Sequence, residues 1–467
     1  MTTRRPALTT LGKLFLSLVT FALLAATALS IYAQQPAHSE APNGSEPPVF
    51  LAVDVAPPGT ASRLRTLHSF TGEPDGANPY GGVVIGKDGV LYGTTQQGGT
   101  LGYPLGTVFS VTPPVSLGGA WTEAVLYYFT SYMSGSDGIY PRAGVVIGSG
   151  GVLYGTTEYG GNYDLCPGGC GTVFSLTPPA SPGGAWTETV LHTFMSTDGI
   201  APWAGVVIGS GGVLYGTTTS GGASNSGTVF SLTPPTSPGG TWTETTLYSF
   251  TGGDVAPVGG VVIGSGGVLY GTTTSGGASN SGTVFSLTPP TSPGGTWTET
   301  TLYSFLGRTG DGASPFAGVV IGSSGVLFGT TCYGGTGACV GSLPGCGTVF
   351  ALIPPQSLGG PWTERVLHHF SGNDGNYPSA ALVIGKGGVL YGTAEQGGTS
   401  NSGTVFSITP PKTPGGAWTE AVFYNFTGYN GFTDASVVIG KGGVLYGTTR
   451  GNGTSTSGYG TVFALKP

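Results

Sequence analysis

Apolar positions along the chain fall in short runs that recur seven times, each run β-branched or aromatic and bounded by Gly, Pro, Ser or Asn. None is long enough for a helix, so the pattern predicts strands. The landmark Leu-Tyr-Gly-Thr-Thr begins at Leu91, Leu153, Leu214, Leu269 and Leu445, with variants at Leu327 and Leu390, at spacings of 55 to 63 residues. An apolar run ending Val-Ile-Gly precedes each copy and Gly-Thr-Val-Phe follows it. A fourth run ends in Phe, at Phe70, Phe129, Phe194, Phe250, Phe305, Phe370 and Phe426. In chain order these are strands a (Val-Ile), b (Leu-Tyr-Gly-Thr-Thr), c (Thr-Val-Phe) and d (Trp-Thr-Glu to Phe). A tight Gly-rich turn joins a to b, where positive φ is needed. A Pro-rich loop ends c, because Pro cannot donate to a ladder.

Four antiparallel strands in a unit of this size make one blade of a β-propeller, and seven units predict an all-β, seven-bladed ring. The repeat begins on a d strand and ends on a c strand. The N-terminal strand 64–70 is therefore expected to pair with the C-terminal strand 460–465 and close the ring, leaving no open edge there.

Gly (90) and Pro (35) are abundant in the 467 residues, but they recur at fixed places and read as turns, not disorder. Charged residues are only 7%, against about 25% in ordinary soluble domains. The formal net charge is −7, and −10 once Arg4, Arg5 and Lys13 are set aside. This balance lacks the basic footprint of a nucleic-acid binder or of a segment held on anionic lipid. Arg4, Arg5 and Lys13 precede the apolar stretch Leu14 to Ile31, and Ala33 precedes Gln34 as a cleavage point. Residues 1–33 thus read as a secretory signal peptide, which if uncleaved would be the one membrane attachment. Residues 34–62, rich in Pro, Ala, Ser and Gly, read as a flexible linker, and 63–467 as the propeller.

Gly-Gly-Val-Leu-Tyr-Gly-Thr-Thr (211–218), Gly-Thr-Val-Phe-Ser-Leu-Thr-Pro (227–234) and Trp-Thr-Glu (242–244) resemble the GloVer (Gloeobacter–Verrucomicrobia) tandem repeats of exported bacterial proteins. The resemblance covers about residues 64–467. It implies export and a repeat architecture, and the family offers no activity to carry over.

Five features could carry chemistry. Trp121, Trp186, Trp242, Trp297, Trp362 and Trp418 open strand d and read as packing residues, with sugar stacking as the alternative. Asp75, Asp137, Asp198, Asp311 and Asp374 each precede Gly between strands d and a, with Asp254 and Asp434 nearby in the other two units. On a closed ring they would surround the channel mouth and could bind a cation or polar ligand, although Asp-Gly is also ordinary turn chemistry. His68, His192 and His368 share a strand-d position with Tyr127, Tyr248, Tyr303 and Tyr424, an exchange that reads as packing and not as metal ligation. Export favours disulfides. Cys166 and Cys170 are expected to pair, and a second bridge to use two of Cys332, Cys339 and Cys346, as Cys339–Cys346 or Cys332–Cys346. Residues 206–250 and 261–305 are identical, and identical neighbours present the same surface twice, which suits binding or scaffolding better than catalysis.

No catalytic set, cofactor motif or metal-ligand spacing is present in the sequence. The reading is a secreted, periplasmic or cell-surface monomer that does not act on nucleic acid. It is a non-enzymatic binding or scaffold module, with a polysaccharide or a surface protein as the expected partner. The alternatives are an extracellular carbohydrate-active enzyme using the channel mouth, and a structural envelope protein.

Overall fold

The computed structural model describes residues 64–467, apart from 100–103, 117, 131–136, 162, 165, 182, 238, 253–254, 293, 309, 338, 340–344, 358, 414, 429–430 and 452–457. The signal-peptide and linker readings lie outside the described residues. Among those residues no helix is long and apolar enough to cross a membrane.

The chain forms a seven-bladed propeller of four-stranded antiparallel sheets. In blade 1, strand a is Val84–Ile85, b is Leu91–Thr95, c is Thr107–Thr112 and d is Thr122–Tyr128. Blades 2 to 6 follow, with their a strands at Val146–Ile147, Val207–Ile208, Val262–Ile263, Val320–Ile321 and Val383–Ile384. Blade 7 is composite. Its a, b and c strands are Val438–Ile439, Leu445–Thr449 and Thr461–Leu465, and its d strand is Leu64–Ser69 from the other end of the repeat region. Leu64 pairs with Leu465 and Ser69 with Thr461, so the ring closes as the phase of the repeat predicts.

The a–b turn has two successive residues at positive φ, as at Gly211 (69°) and Gly212 (78°), which matches the twist of the flanking strands. A bulge recurs between strands c and d in every blade. In blade 1, Val108 pairs with Tyr127 and Phe109 with Val125, leaving Leu126 as the extra residue. Such a bulge re-aims the side chains beside it, and the sequence pattern carried no sign of it.

Adjacent blades are joined by buried aromatic pairs. The Phe ending each strand d meets the Phe of strand c in the next blade edge-on, from Phe70–Phe109 round to Phe426–Phe463, with ring centroids 5.0–5.5 Å apart. Edge-to-face packing suits the ring quadrupoles. The Gly of strand b is required because the strand-c Phe lies over it: a Cβ on Gly93 would sit 2.6 Å from Phe109 Cζ. Farther out, the half-buried Trp of one blade meets the strand-b aromatic of the preceding blade, as in Tyr92–Trp186 and Tyr154–Trp242. Six interfaces have this pair. At the seventh, Tyr391 stacks on Phe423 of its own blade instead.

Two disulfides are present, Cys166–Cys170 and Cys339–Cys346, and Cys332 is a buried free thiol.

Phe70 is fully buried and belongs to the strand that closes the ring. Phe70→Ala is expected to lower unfolding stability by about 3–5 kcal/mol in urea titration. A loss below about 1 kcal/mol would mean the closing strand contributes little packing.

Candidate functional site

Two hydroxyls of each Leu-Tyr-Gly-Thr-Thr motif set the geometry of the channel mouth. The last Thr bonds the first Thr of strand c, as Thr95 does Thr107 at 2.8 Å, within the blade. Only blade 6 lacks this pair, because Ala394 replaces the Thr. The penultimate Thr reaches into the next blade. Thr94 donates to the Ala143 carbonyl, Thr156 to Ala204, Thr217 to Gly259, Thr272 to Ala317, Thr330 to Ala380, Thr393 to Ala435 and Thr448 to Gly81, all at 2.8–3.1 Å. These seven bonds close a circle around the channel, and each holds the backbone just before a strand a.

The residue immediately before each acceptor is different in every blade: Tyr80, Arg142, Trp203, Val258, Phe316, Ser379 and Asp434. All seven line one cavity of about 430 Å³ at the channel mouth. In six blades a Pro precedes this residue, and the residue before the Pro is held at positive φ, from 32° at Ala256 to 57° at Tyr140. Left-handed backbone at a non-Gly residue costs about 1–3 kcal/mol and persists only where its surroundings impose it. Here the imposed bonds run both ways. The Tyr140 amide donates to Leu105 of the preceding blade, and its carbonyl accepts from Glu158 at the end of strand b.

The residue after each Thr-Thr adds a second variable set, in which Glu158, Cys332, Glu395 and Arg450 also line the cavity. Arg142 is sandwiched between aromatic faces, its guanidinium 3.9 Å from the Trp203 ring centre and 5.1 Å from that of Tyr80. Glu158 lies 3.7 Å from Arg142 and accepts from Gln96 at 3.3 Å. Arg450 covers the Tyr80 ring at 4.9 Å, donates to the Tyr80 hydroxyl at 3.3 Å, and pairs with Glu395 at 2.7 Å and with Asp434. One arc of the mouth is therefore a continuous charged and aromatic network. Opposite it, Val258, Phe316, Tyr333 and Tyr377 make an apolar arc, in which burial pushes the Cys332 thiol well above its usual range. Trp203 Nε1 and Ser379 Oγ are buried atoms without a protein hydrogen-bond partner.

The five Asp-Gly aspartates do not line this cavity. Each carboxylate folds back into its own turn and onto strand d. Asp75 accepts from the Thr71 amide and hydroxyl and lies 2.9 Å from His68 Nε2. Asp198 and Asp374 repeat this with Met195 and His192, and with Ser371 and His368. In the Tyr-bearing units, Asp137 accepts from the Tyr127 hydroxyl and Asp311 from that of Tyr303. The His/Tyr exchange on strand d thus keeps a donor for this Asp. Burial works against ionisation of Asp75, but hydrogen bonds from His68 and Thr71 outweigh it and hold its pKa below the usual value. Asp254 lies outside the described residues, and Asp434 is a mouth residue.

Residue types that recur do not mark the mouth. Its signal is the opposite one: aligned on the residue before the Gly or Ala that precedes strand a, which follows a Pro in six repeats and Thr433 in the seventh, the seven repeats never place the same residue twice. The identical segments 206–250 and 261–305 begin just after Trp203 and Val258, so these twin blades still present different groups to the channel.

A further carboxyl lies at the blade interfaces. The Glu of Trp-Thr-Glu packs against the Asp turn of the preceding blade, and burial beside Asp137 and Asp311 pushes Glu188 and Glu364 up to about 7. Folded chains then hold protons that unfolded chains release between about pH 4.5 and 7. Stability should fall as pH rises through that window. Glu188→Gln with Glu364→Gln is expected to flatten this decline in melting temperature, measured in chelator-treated buffer. An unchanged slope would show that these carboxyls titrate normally.

The architecture and the mouth define a closed seven-bladed propeller with a composite cavity at its channel mouth. A family model, the Gloeobacter/Verrucomicrobia repeat, matches residues 53–182, 164–356 and 340–467, and the chain belongs to that family. No curated protein matches the sequence. Among solved structures, the chain is similar to a Hadza microbial sialidase at 13% identity and TM-score 0.39, covering 69% of this chain and 64% of that one. It is also similar to an ulvan lyase of polysaccharide lyase family PL25 at 9% identity and TM-score 0.42, covering 84% and 93%. The endosialidase of phage phi92 matches at 14% identity and TM-score 0.39, covering 86% and 68%. At these values no site or activity is transferred from them.

Proposed function

We propose that the chain is an exported, non-enzymatic binding module whose channel mouth receives a saccharide unit of a polysaccharide or surface glycan. The observation that carries this reading is the set of seven different side chains turned into one cavity by seven equivalent backbones. A frame that needed only to be stable would accept the same small residue at each position. The chemistry of the lining supports a sugar. A pyranose has a hydroxyl-bearing edge and an apolar C–H face, and this mouth has an arc of carboxylates, guanidinium groups and unpartnered donors opposite an arc of Val258, Phe316, Tyr333 and Tyr377. A concave cavity of a few hundred Å³ with convergent polar groups is the usual place for a small ligand.

Binding is favoured over turnover because the carboxylates of the mouth are committed: Glu158 to Arg142, and Glu395 and Asp434 to Arg450. A general acid must exchange its proton with substrate. Two disulfides suit an oxidising compartment and support export.

The test is a glycan array followed by titration of the hits. Trp203→Ala and Arg142→Ala should each weaken binding at least about tenfold, or about 1.4 kcal/mol. Lys412→Ala, in the exposed c–d loop of blade 6, should leave it unchanged. Absence of any glycan binding at millimolar concentration, or binding indifferent to both mouth variants, would sink the proposal. Product release from the bound glycan would turn the reading toward an enzyme.

A further inference from the structure

Three of the seven blade interfaces bring an imidazole and two carboxylates together. His68 and Asp75 of blade 7 meet Glu123 of blade 1, His192 and Asp198 of blade 2 meet Glu244 of blade 3, and His368 and Asp374 of blade 5 meet Glu420 of blade 6. In each group one nitrogen and two carboxylate oxygens all lie within 4.8 Å of one another. The His Nε2 to Asp Oδ2 distances are 2.9, 3.2 and 3.0 Å. These are close to the edge of a coordination polyhedron with metal–ligand bonds of about 2.0–2.2 Å.

From this geometry we infer that the three His–Asp–Glu clusters are binding sites for a divalent transition metal, Zn²⁺ in the first instance, each ion joining two adjacent blades. Imidazole nitrogen with carboxylate oxygen is a donor set that suits zinc, with water completing the coordination.

Two observations beyond the proximity support it. The first concerns unmet polar atoms. Glu123 Oε1 and Glu420 Oε1 are buried and have no hydrogen-bond partner, as is also true of Glu188 Oε1 and Glu364 Oε1 at the Tyr-bearing interfaces, whereas Glu244 Oε1 accepts from Thr246. With both carboxyls ionised, even a protonated imidazole would leave an excess negative charge in a pocket where the His and Asp side chains are only 12–20% exposed. A dication satisfies the orphan oxygens and the charge together.

The second is the comparison that the chain makes with itself. Interfaces 1/2 and 4/5 have the same Asp and Glu but carry Tyr127 and Tyr303 at the His position. There the phenol donates to the Asp and supplies no metal ligand. The same backbone therefore has a version with a phenol donor and a version with one added nitrogen ligand. His-for-Tyr is the only change in the donor set that separates them.

That self-comparison also supplies the variants. Tyr already occupies this position in four blades, so His68→Tyr, His192→Tyr and His368→Tyr are substitutions the fold accommodates. The untagged, chelator-stripped full chain would be titrated with ZnCl₂ by calorimetry. Co²⁺ would be used in parallel for its d–d absorption. The expected result is three equivalents per chain, one fewer for each His→Tyr change, and none in the triple variant, with the far-ultraviolet spectrum retained. The zinc-loaded wild type should also melt at a higher temperature than the stripped chain, and the triple variant should show no such shift. Should a Tyr variant lose its β spectrum, Glu123→Gln, Glu244→Gln and Glu420→Gln in combination give the same readout, with uptake expected to collapse. No saturable uptake by the wild type, or uptake and cobalt absorption that survive the triple variant, would overturn the inference.

Discussion

One hydroxyl group in each blade carries the geometry on which the mouth depends. The penultimate Thr of Leu-Tyr-Gly-Thr-Thr leaves its own sheet and donates to a carbonyl of the next blade, seven times round the ring. Each bond is worth about 0.5–1.5 kcal/mol net. Its structural consequence is larger than that. The accepting carbonyl belongs to the residue directly after the variable mouth position, so the bond between blades also sets where the variable side chain begins. The Phe–Phe pairs hold the blades together by burial, which is strong but not directional. The Thr bonds supply the direction. Small residues follow from the same constraint: a Cβ on Gly82 would stand 2.6 Å from the Ser436 carbonyl oxygen, so neighbouring segments meet backbone to backbone.

The fold was legible because it is written seven times. Strand identity, the tight a–b turns and the closing strand all follow from residues that recur in register. The mouth was not legible by the same route. Tyr80, Arg142 and Trp203 share no chemistry and attract no motif; what they share is the position after a Pro, in a segment held to the end of strand b by bridges such as Ile200 with Ser220. Asp434 was grouped with the Asp-Gly turns on residue type alone, although it occupies the mouth position. The His/Tyr exchange looks like packing in the sequence because its partner, an Asp six to ten residues farther along, stands apart from it in the chain. Only the bulge in strand d and the turn that follows bring the two together.

The twin blades show how frame and site are separated. Identity across 206–250 and 261–305 includes all four strands, the interface Phe residues, the Trp and the Thr pair. It stops short of Trp203 and Val258. Duplication of a blade therefore copies everything required to stack and leaves the mouth residue to vary. On their outer faces and loops the twin blades present the same residues twice; at the channel mouth they do not, because Trp203 and Val258 differ.

Position explains why. Groups far from the axis can interact with their own blade and one neighbour, so the outer interfaces form pairwise or three-residue clusters such as His192, Asp198 and Glu244. Near the axis, seven segments converge on one cavity, and Arg450 reaches Tyr80, Asp434 and Glu395 from three different blades. Outer chemistry is thus limited to what two blades can hold between them, a proton or an ion. The centre alone can assemble a surface of seven independent choices, and it is there that the chain has made seven different ones.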